Sequence, residues 1–191
     1  FLGASAHKMV GPTGTGFLYG KMELLKETDP LMYGGGMNAF FESDLTYELK
    51  DVPLKFEAGT QNIAGVLGMG AAIDYLNSIG LDKIHEYELE LKKYAVEKLK
   101  QVPNIIMYNE YSKSGCLTFN IDKVFSQDTA VFLNRFNICV RSGNHCAKIL
   151  KDEIGSTNTC RAIFYLYNTK EEIDKFVEIL KRQDEVYDNI I

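Results

Sequence analysis

Residues 160–174 read CRAIFYLYNTKEEID, an apolar segment that passes through a polar turn into a charged one. The run 160–167 is apolar and aromatic, which is typical of a strand, and a helix is predicted over 170–182. Thr169 and Glu172 have the spacing of a capping box, in which each side chain bonds the backbone N–H of the other at a helix start. A strand that leads directly into a helix indicates an α/β fold.

The alternation of strands and helices continues toward the N-terminus. The predicted elements are strands at 1–2 and 15–19, a short helix over 21–28, an irregular hairpin in 37–56, helices over 62–78 and 82–102, strands at 105–108 and 116–121, a helix over 127–136 and a strand at 138–141. A core-facing stripe is expected on the first long helix at Ile63, Val66, Leu67, Gly70, Ile73 and Leu76. A hinge is expected near 78–81, so the predicted parts are 1–79 and 80–191. The tail after Arg182 is expected to fray.

Composition limits the classes of function. The chain has 191 residues, of which 46% are hydrophobic and 25% charged, an ordinary globular balance. Its net charge of -5 argues against nucleic acid or an anionic membrane as the main partner. We see no apolar run of membrane-span length and no signal segment. Because the sequence begins at Phe1 rather than Met, we expect it to be part of a longer protein.

The four cysteines differ in their surroundings. They form no CxxC pair, so no structural zinc site is expected. A disulfide framework is not expected in a chain of this length, and reduced thiols fit a cytoplasmic location. Cys146 lies in a polar, glycine-containing loop next to His145 and close to Arg141, the setting of a thiolate nucleophile. The other three are expected to be buried as small hydrophobic side chains in apolar strands: Cys116, Cys139 and Cys160.

Two short stretches could hold an anionic cofactor. Lys8 follows a short apolar strand, with Ser5 and His7 just before it, and its amine could form a Schiff base in a semi-buried pocket. The alternative is a surface lysine at a strand end. Gly59 and Thr60 precede a long helix, where a hydroxyl and free N–H groups suit a phosphate. The alternative is that Thr60 is an ordinary N-cap.

Arg161 opens an otherwise apolar strand and therefore needs an anionic partner, because an unpaired buried guanidinium is costly. That partner is either an acidic side chain of the protein or the α-carboxylate of a substrate, held by two parallel hydrogen bonds. The spacing of residues does not separate these two readings.

Taken in order, these stretches resemble one family. The motifs are S-x-HK, GPTG, YGGG, FEAGTxN, RxGxHCA and CRAxFxxYNTxEEID, and they run from about Leu2 to Leu180. They are similar to the C-terminal half of the SufS-type cysteine desulfurases, which belong to the class V aminotransferases. The resemblance implies an α/β fold, part of a fold type I pyridoxal-phosphate-dependent transferase. Residues 1–79 would be the remnant of its large cofactor-binding domain, and 80–191 its small α/β domain.

The resemblance also implies a role for each site residue. Lys8 would form the Schiff base with pyridoxal phosphate, and Ser5 and His7 would hold the phosphate. Gly59 and Thr60 would reach the phosphate from a partner subunit, which implies a homodimer. Cys146 would attack the sulfur of bound L-cysteine and become a persulfide. The substrate-binding residues would be Arg161, which grips the α-carboxylate, with Arg141, Asn144 and His145.

The resemblance has limits that bear on activity. Asn144 stands where the family commonly has a histidine, which implies altered tuning rather than loss of activity. The groups that stack on the cofactor ring and pair with its nitrogen would precede Phe1, so poor catalysis by this chain alone is expected. Apolar surface near 1–19 and 64–72 would also lack its cover.

The implied products are L-alanine and sulfur for Fe–S cluster assembly, passed to an acceptor protein of the SufE/SufU type. Two other readings stay open. The parent enzyme could be a selenocysteine lyase or another class V enzyme. The chain itself could be a non-catalytic module for dimerisation or acceptor binding.

Overall fold

The computed structural model describes residues 1–188, with the exception of the Lys151 side chain. It forms two compact units; the first comprises Phe1–Ile79 and the second begins at Gly80. This division falls within the hinge predicted at 78–81. The role of each unit in a whole enzyme stays a prediction.

The first unit contains two hairpins and two helices. Its elements are β1 (Leu2–Ser5), β2 (Gly16–Tyr19), α1 (Met22–Glu27), β3 (Asn38–Phe41), β4 (Tyr47–Leu49) and α2 (Ile63–Ile79). Strands β1 and β2 pair antiparallel, with Leu2 opposite Tyr19. Strands β3 and β4 also pair antiparallel, with a register shift between Asn38 and Phe40, which agrees with the predicted irregular hairpin.

Helix α2 packs closely against the loop between β1 and β2. A Cβ atom at Gly65 would collide with Oγ1 of Thr15, and one at Gly68 would lie 2.6 Å from Cγ of Pro12. Glycine at these two positions lets the loop approach the helix backbone. The close approach fixes the start of α2 beside the segment that follows Lys8.

The predicted core-facing stripe of α2 is largely wrong. Of its six residues Leu76 is buried, whereas Ile63 is 64% exposed and Leu67 is 70% exposed. The helix instead buries its small residues Gly65 and Ala72 within this unit. Strand β2 also exposes its aromatic residues. Together with the exposed apolar side chains of α2, they agree with the uncovered apolar surface expected near 1–19 and 64–72.

The second unit is an antiparallel sheet covered by helices. Its elements are α3 (Leu81–Leu99), β5 (Ile105–Met107), β6 (Cys116–Ile121), α4 (Ser126–Asn134), β7 (Arg141–Gly143), α5 (Lys151–Ile154), β8 (Thr159–Ile163) and α6 (Lys170–Leu180). The strand order is β5-β6-β8-β7. This mixture of a sheet and covering helices is the α/β architecture predicted from the sequence.

One face of this sheet forms the core. Leu117, Phe119 and Ile121 of β6 are buried, and Phe119 meets Phe176 of α6 edge to face at 5.6 Å between ring centroids. The capping box at the start of α6 is present: Glu172 N–H donates to Thr169 Oγ1, and Thr169 N–H donates to Glu172 Oε2. Side chains alternate between the two faces of a strand, so the residues of β6 that lie between these buried ones point to the opposite face of the sheet.

Several predicted boundaries change. The strand predicted at 138–141 lies instead at Arg141–Gly143, where the backbone pairs with β8. The strand predicted over 160–167 ends at Ile163, because Asn168 turns the chain by accepting the N–H of Tyr165. The prediction of a frayed tail is wrong for 183–188: a 3₁₀ turn begins at Gln183, and Val186 is buried. The last three residues lie outside the described part.

Among the described residues no single helix is long and apolar enough to cross a membrane; α2 and α3 pass such a test only jointly, as a bent pair, by length and composition. Within 1–188 no group of three His, Cys, Asp or Glu residues is arranged to hold a metal ion.

Candidate active site

The open face of the second unit's sheet carries a small cleft. Cys116, Thr118 and Asn120 alternate with the core residues of β6 and are half-buried. The segment 147–158, which contains α5, lies over this face and encloses a cleft of about 170 Å³. Further lining residues come from the predicted site: Asn144, His145 and Arg161.

Two arginines lie side by side on this face. Arg141 of β7 and Arg161 of β8 are directly opposite in the ladder, and cross-strand partners share a face. The Nε of Arg161 is buried and has no hydrogen-bond partner among the residues that the structure describes. Among the described residues that line the cleft there is no carboxylate. Adjacent like charges are unfavourable unless an anion offsets them, so the geometry favours an anionic ligand over a structural ion pair at this position.

The loop after β7 holds Cys146 in an uncommon backbone conformation. Gly143 has a φ of 113°, and His145 and Cys146 have φ values of 52° and 63°. Left-handed conformations cost side-chain-bearing residues energy, so two in succession require support from the surroundings. Cys146 is exposed, and its Sγ lies 3.7 Å from Nη2 of Arg141. The predicted loop position of Cys146 is confirmed.

His145 does not point toward solvent. Its Nε2 lies 2.9 Å from the carbonyl oxygen of Thr159 and 3.0 Å from Thr159 Oγ1. Burial, then the positive charges of Arg161 and Arg141, lower the pKa of His145, which outweighs the opposing effect of the Thr159 hydrogen bond. The imidazole is therefore held in its neutral form at neutral pH.

The other three cysteines match the prediction only in part. Cys160 is buried, and burial raises the pKa of its thiol to about 12. Cys116 is half-buried rather than buried, since it faces the cleft, and burial raises its pKa while Arg161 opposes the shift. Cys139 is exposed, because the strand predicted around it does not form there. The prediction of burial is wrong for Cys116 and Cys139.

The predicted lysine site lies on a short turn of the first unit. Ala6–Lys8 forms a 3₁₀ turn in which Ala6 is buried, whereas His7 and Lys8 are exposed and Ser5 is half-buried. The turn is fixed through its backbone: Ala6 N–H donates to Thr15 O at 2.9 Å, and Gly11 N–H donates to Ala6 O at 2.9 Å. The Lys8 amine is thus carried on a fixed backbone.

The start of α2 is tied to the same loop. Asn62 accepts the N–H of Gly65 at 3.0 Å and donates to Thr15 Oγ1 at 3.0 Å. Asn62, rather than Thr60, therefore caps the helix, so the reading of Thr60 as an N-cap is wrong. Gly59 has a φ of 78° and donates its N–H to Gly35 O. Thr60 is exposed beside this turn.

Comparisons with known proteins identify the family of the chain. A family model of the class-V aminotransferases matches residues 1–176. The chain belongs to this family. As a class-V aminotransferase chain, it is 44% identical over 191 residues to a probable cysteine desulfurase of Halalkalibacterium halodurans, covering all of this chain and 47% of that protein. A probable cysteine desulfurase of Ureaplasma parvum is 45% identical over 182 residues, which is 95% of this chain and 45% of the relative.

A solved structure has the same fold. The cysteine desulfurase CsdA of Escherichia coli superposes with a TM-score of 0.91 at 35% identity, covering 96% of this chain and 46% of that one. The class-V chain thus spans about half the length of the curated relatives it matches. The fold predicted from the sequence, part of a fold type I transferase, is confirmed.

The residues of the first unit fit pyridoxal phosphate, the cofactor that class-V membership implies. An exposed primary amine at Lys8 can bind an aldehyde, and hydroxyl and imidazole groups at Ser5 and His7 can donate to a phosphate. The first turn of the 17-residue helix α2 contains no acidic residue to repel an anion. These groups therefore suit both the aldehyde and the phosphate of the cofactor.

The structure assigns the predicted residues to two places. The lysine turn and the start of α2 belong to the first unit, and Arg141, Asn144, His145, Cys146 and Arg161 belong to the second. The sequence reasoning missed Thr118, Asn120, Thr159 and the segment 147–158. The strict alternation of polar and apolar residues in 116–121 was the signal for a strand with one polar face.

Proposed function

We propose that this chain supplies the lysine and cysteine half-sites of a cysteine desulfurase. Such an enzyme converts L-cysteine into L-alanine and leaves the sulfur as a persulfide on the protein. The observation that carries the proposal is the pairing of Arg141 and Arg161 on the open sheet face, beside the loop that presents Cys146. An amino-acid carboxylate held here would offset one of the two positive charges and bring the substrate close to the thiol.

The cofactor half-site is assigned to the first unit. Lys8 would hold pyridoxal phosphate through its amine, and Ser5 and His7 would donate to the phosphate. When bound, this cofactor supplies an electron sink for a carbanion at the substrate Cα. The Lys8 amine is the group proposed to move protons there, because it is exposed on a turn whose backbone is fixed at Ala6.

The sulfur step is assigned to Cys146. Its thiolate attacks the sulfur of the bound substrate, so that an S–S bond forms as the substrate C–S bond breaks. The electron pair of the C–S bond stays with carbon, and protonation of that carbon gives alanine. Cys146 is left as a persulfide, a reversible state that suits transfer. Its exposure lets a second protein reach the sulfur.

The partners follow from the same proposal. Gly59 and Thr60 would contribute to the phosphate site of a second copy, which makes the enzyme a homodimer. The sulfur would pass to an acceptor protein of the SufE/SufU type for Fe–S cluster assembly in the cytoplasm. Asn144 would border the bound substrate, since it lines the cleft with Arg161, whereas the Nε2 of His145 is directed at Thr159.

Mass spectrometry tests the function directly. The chain is incubated with pyridoxal phosphate and L-cysteine, and the Cys146 peptide is searched for one additional sulfur atom. We expect that adduct in the wild type and in Cys139→Ser, a control at another exposed thiol. We expect none in Cys146→Ser or Lys8→Ala, and Lys8→Ala should also lack the visible absorption band of the lysine-bound cofactor. An adduct that persists without Lys8 would contradict the proposed route.

A second candidate function is favoured by the exposed surface of the first unit. Leu31 is 97% exposed, and Ile63 and Leu67 are also largely exposed, which is typical of a contact surface. In that reading the chain is a non-catalytic module for dimerisation or acceptor binding. Absence of both the absorption band and the sulfur adduct would favour it. Parallel assays with cysteine and selenocysteine would distinguish a desulfurase from a selenocysteine lyase.

A further inference from the structure

The left-handed pair His145 and Cys146 requires support, and the structure supplies it from β8. One short-range bond closes the loop, from Ala147 N–H to Asn144 O at 2.8 Å. A further contact joins the imidazole of His145 to Thr159. Thr159 is directly opposite Gly143 in the ladder, so the side chain folds back onto the strand beside the one that leads into the loop.

Thr159 is itself firmly held. It is buried, and both of its neighbours in the chain are bonded to one side chain, that of Asn120. Asn120 Nδ2 donates to Asn158 O at 2.9 Å, and Asn120 Oδ1 accepts the N–H of Cys160 at 3.2 Å. The carbonyl that His145 contacts is therefore part of the fixed sheet.

The contact also determines where the proton of the imidazole lies. A backbone carbonyl can only accept, so Nε2 must carry the hydrogen that it donates to Thr159 O. The neutral ring then has an unprotonated Nδ1, which is buried and has no hydrogen-bond partner in the described structure. The nitrogen that could donate is committed to Thr159.

We propose that His145 is a positioning residue, which holds Cys146 in its left-handed conformation by donating from Nε2 to Thr159. This differs from the role in substrate binding that the family resemblance implies for it. The consequence for sulfur transfer rests on the proposed function, whereas the anchoring of the loop does not. Asn120 supports the same anchor, because its side chain bonds the backbone on both sides of Thr159.

Amide hydrogen exchange tests the anchor in the 191-residue chain. Loss of one hydrogen bond of about 1 kcal/mol changes a local opening equilibrium by roughly five- to tenfold. We expect His145→Phe to increase the exchange rate at Ala147 by about that factor. His145→Gln, whose side-chain amide can donate to the Thr159 carbonyl, should restore slow exchange. The amides of Leu117 and Phe119 serve as the control and should stay unchanged.

Equal Ala147 exchange in the wild type and His145→Phe would overturn the proposal, as would a failure of His145→Gln to restore protection. A second measurement needs no variant. The ring ¹⁵N shifts of His145 at neutral pH should show the Nε2–H tautomer, and a dominant Nδ1–H tautomer would also overturn the proposal.

The sulfur assay separates this proposal from the proposed function. If the wild type forms the Cys146 persulfide, His145→Phe should reduce it at least severalfold while the absorption band of the lysine-bound cofactor is unchanged, and His145→Gln should retain it. A persulfide yield unaffected in His145→Phe would refute the positioning role in transfer. If the wild type forms no persulfide, the function fails while the exchange result still decides the anchor.

Discussion

The two units of the chain bury their apolar residues to very different extents. In the first unit the buried hydrophobic residues of the described structure are Ala6, Met37, Ala72 and Leu76. The second contains a continuous core that the sheet shares with α3, α4 and α6. Burial of apolar area is the main favourable term in folding. We therefore expect the second unit to be stable by itself and the first unit to be much less stable in isolation.

The largest expected effect comes from separating the units. A chain of residues 80–191 should unfold cooperatively on heating, because its core lies within it. A chain of residues 1–79 should show no cooperative transition, because its apolar side chains stay exposed to water. Circular dichroism during thermal unfolding checks both, with the whole chain as reference. A sharp transition in the 1–79 chain would break the comparison.

A matched pair of aromatic substitutions should give the next largest difference. Phe119 is fully buried and packs against Phe176, so Phe119→Ala should lower the free energy of unfolding by about 3–5 kcal/mol. Phe41 is 66% exposed in the other unit, and Phe41→Ala should change it by less than about 0.5 kcal/mol. Urea unfolding measures both. Similar losses in the two variants would show that Phe41 is buried in solution.

The smallest expected effect is a pH dependence confined to the second unit. The pKa of His145 is lowered in the folded chain. At a pH below the ordinary histidine pKa of about 6.5, the unfolded chain therefore binds more protons at this residue than the folded chain does. The contribution of His145 to stability is therefore complete above about pH 6.5 and is lost as the pH falls toward its folded value. His145→Gln should remove this part of the acid dependence. Urea unfolding of the wild type and of His145→Gln between neutral and mildly acidic pH measures it. Identical profiles for the two proteins would contradict a half-buried, neutral imidazole at His145.

Much of the fold could be predicted because local patterns agree with it. The capping box of Thr169 and Glu172, the polar alternation of 116–121 and the length of the second long helix all depend on neighbours in sequence. The boundaries of β7 and β8 could not be predicted in this way. A strand ends where its pairing ends, and the paired residues of β7 and β8 are 16 to 20 positions apart in the sequence.

The stripe on α2 failed for a related reason. A hydrophobic period shows which side chains share a face of a helix, but not whether anything covers that face. In the first unit Gly65 and Gly68 make the close contact with the loop of Thr15, and the larger side chains stay exposed.

The chemical groups of this protein can be read from its sequence: the lysine after Ser5 and His7, the cysteine of the polar loop, and the arginine of an apolar strand. Their order was enough to identify the family, because motif order does not depend on geometry. That Arg141 and Arg161 are cross-strand neighbours follows from the folded sheet. The contact of His145 with Thr159 likewise follows only from the tertiary structure. Hydrogen bonds and like-charge contacts act over a few ångströms, and pairing of distant strands sets those distances.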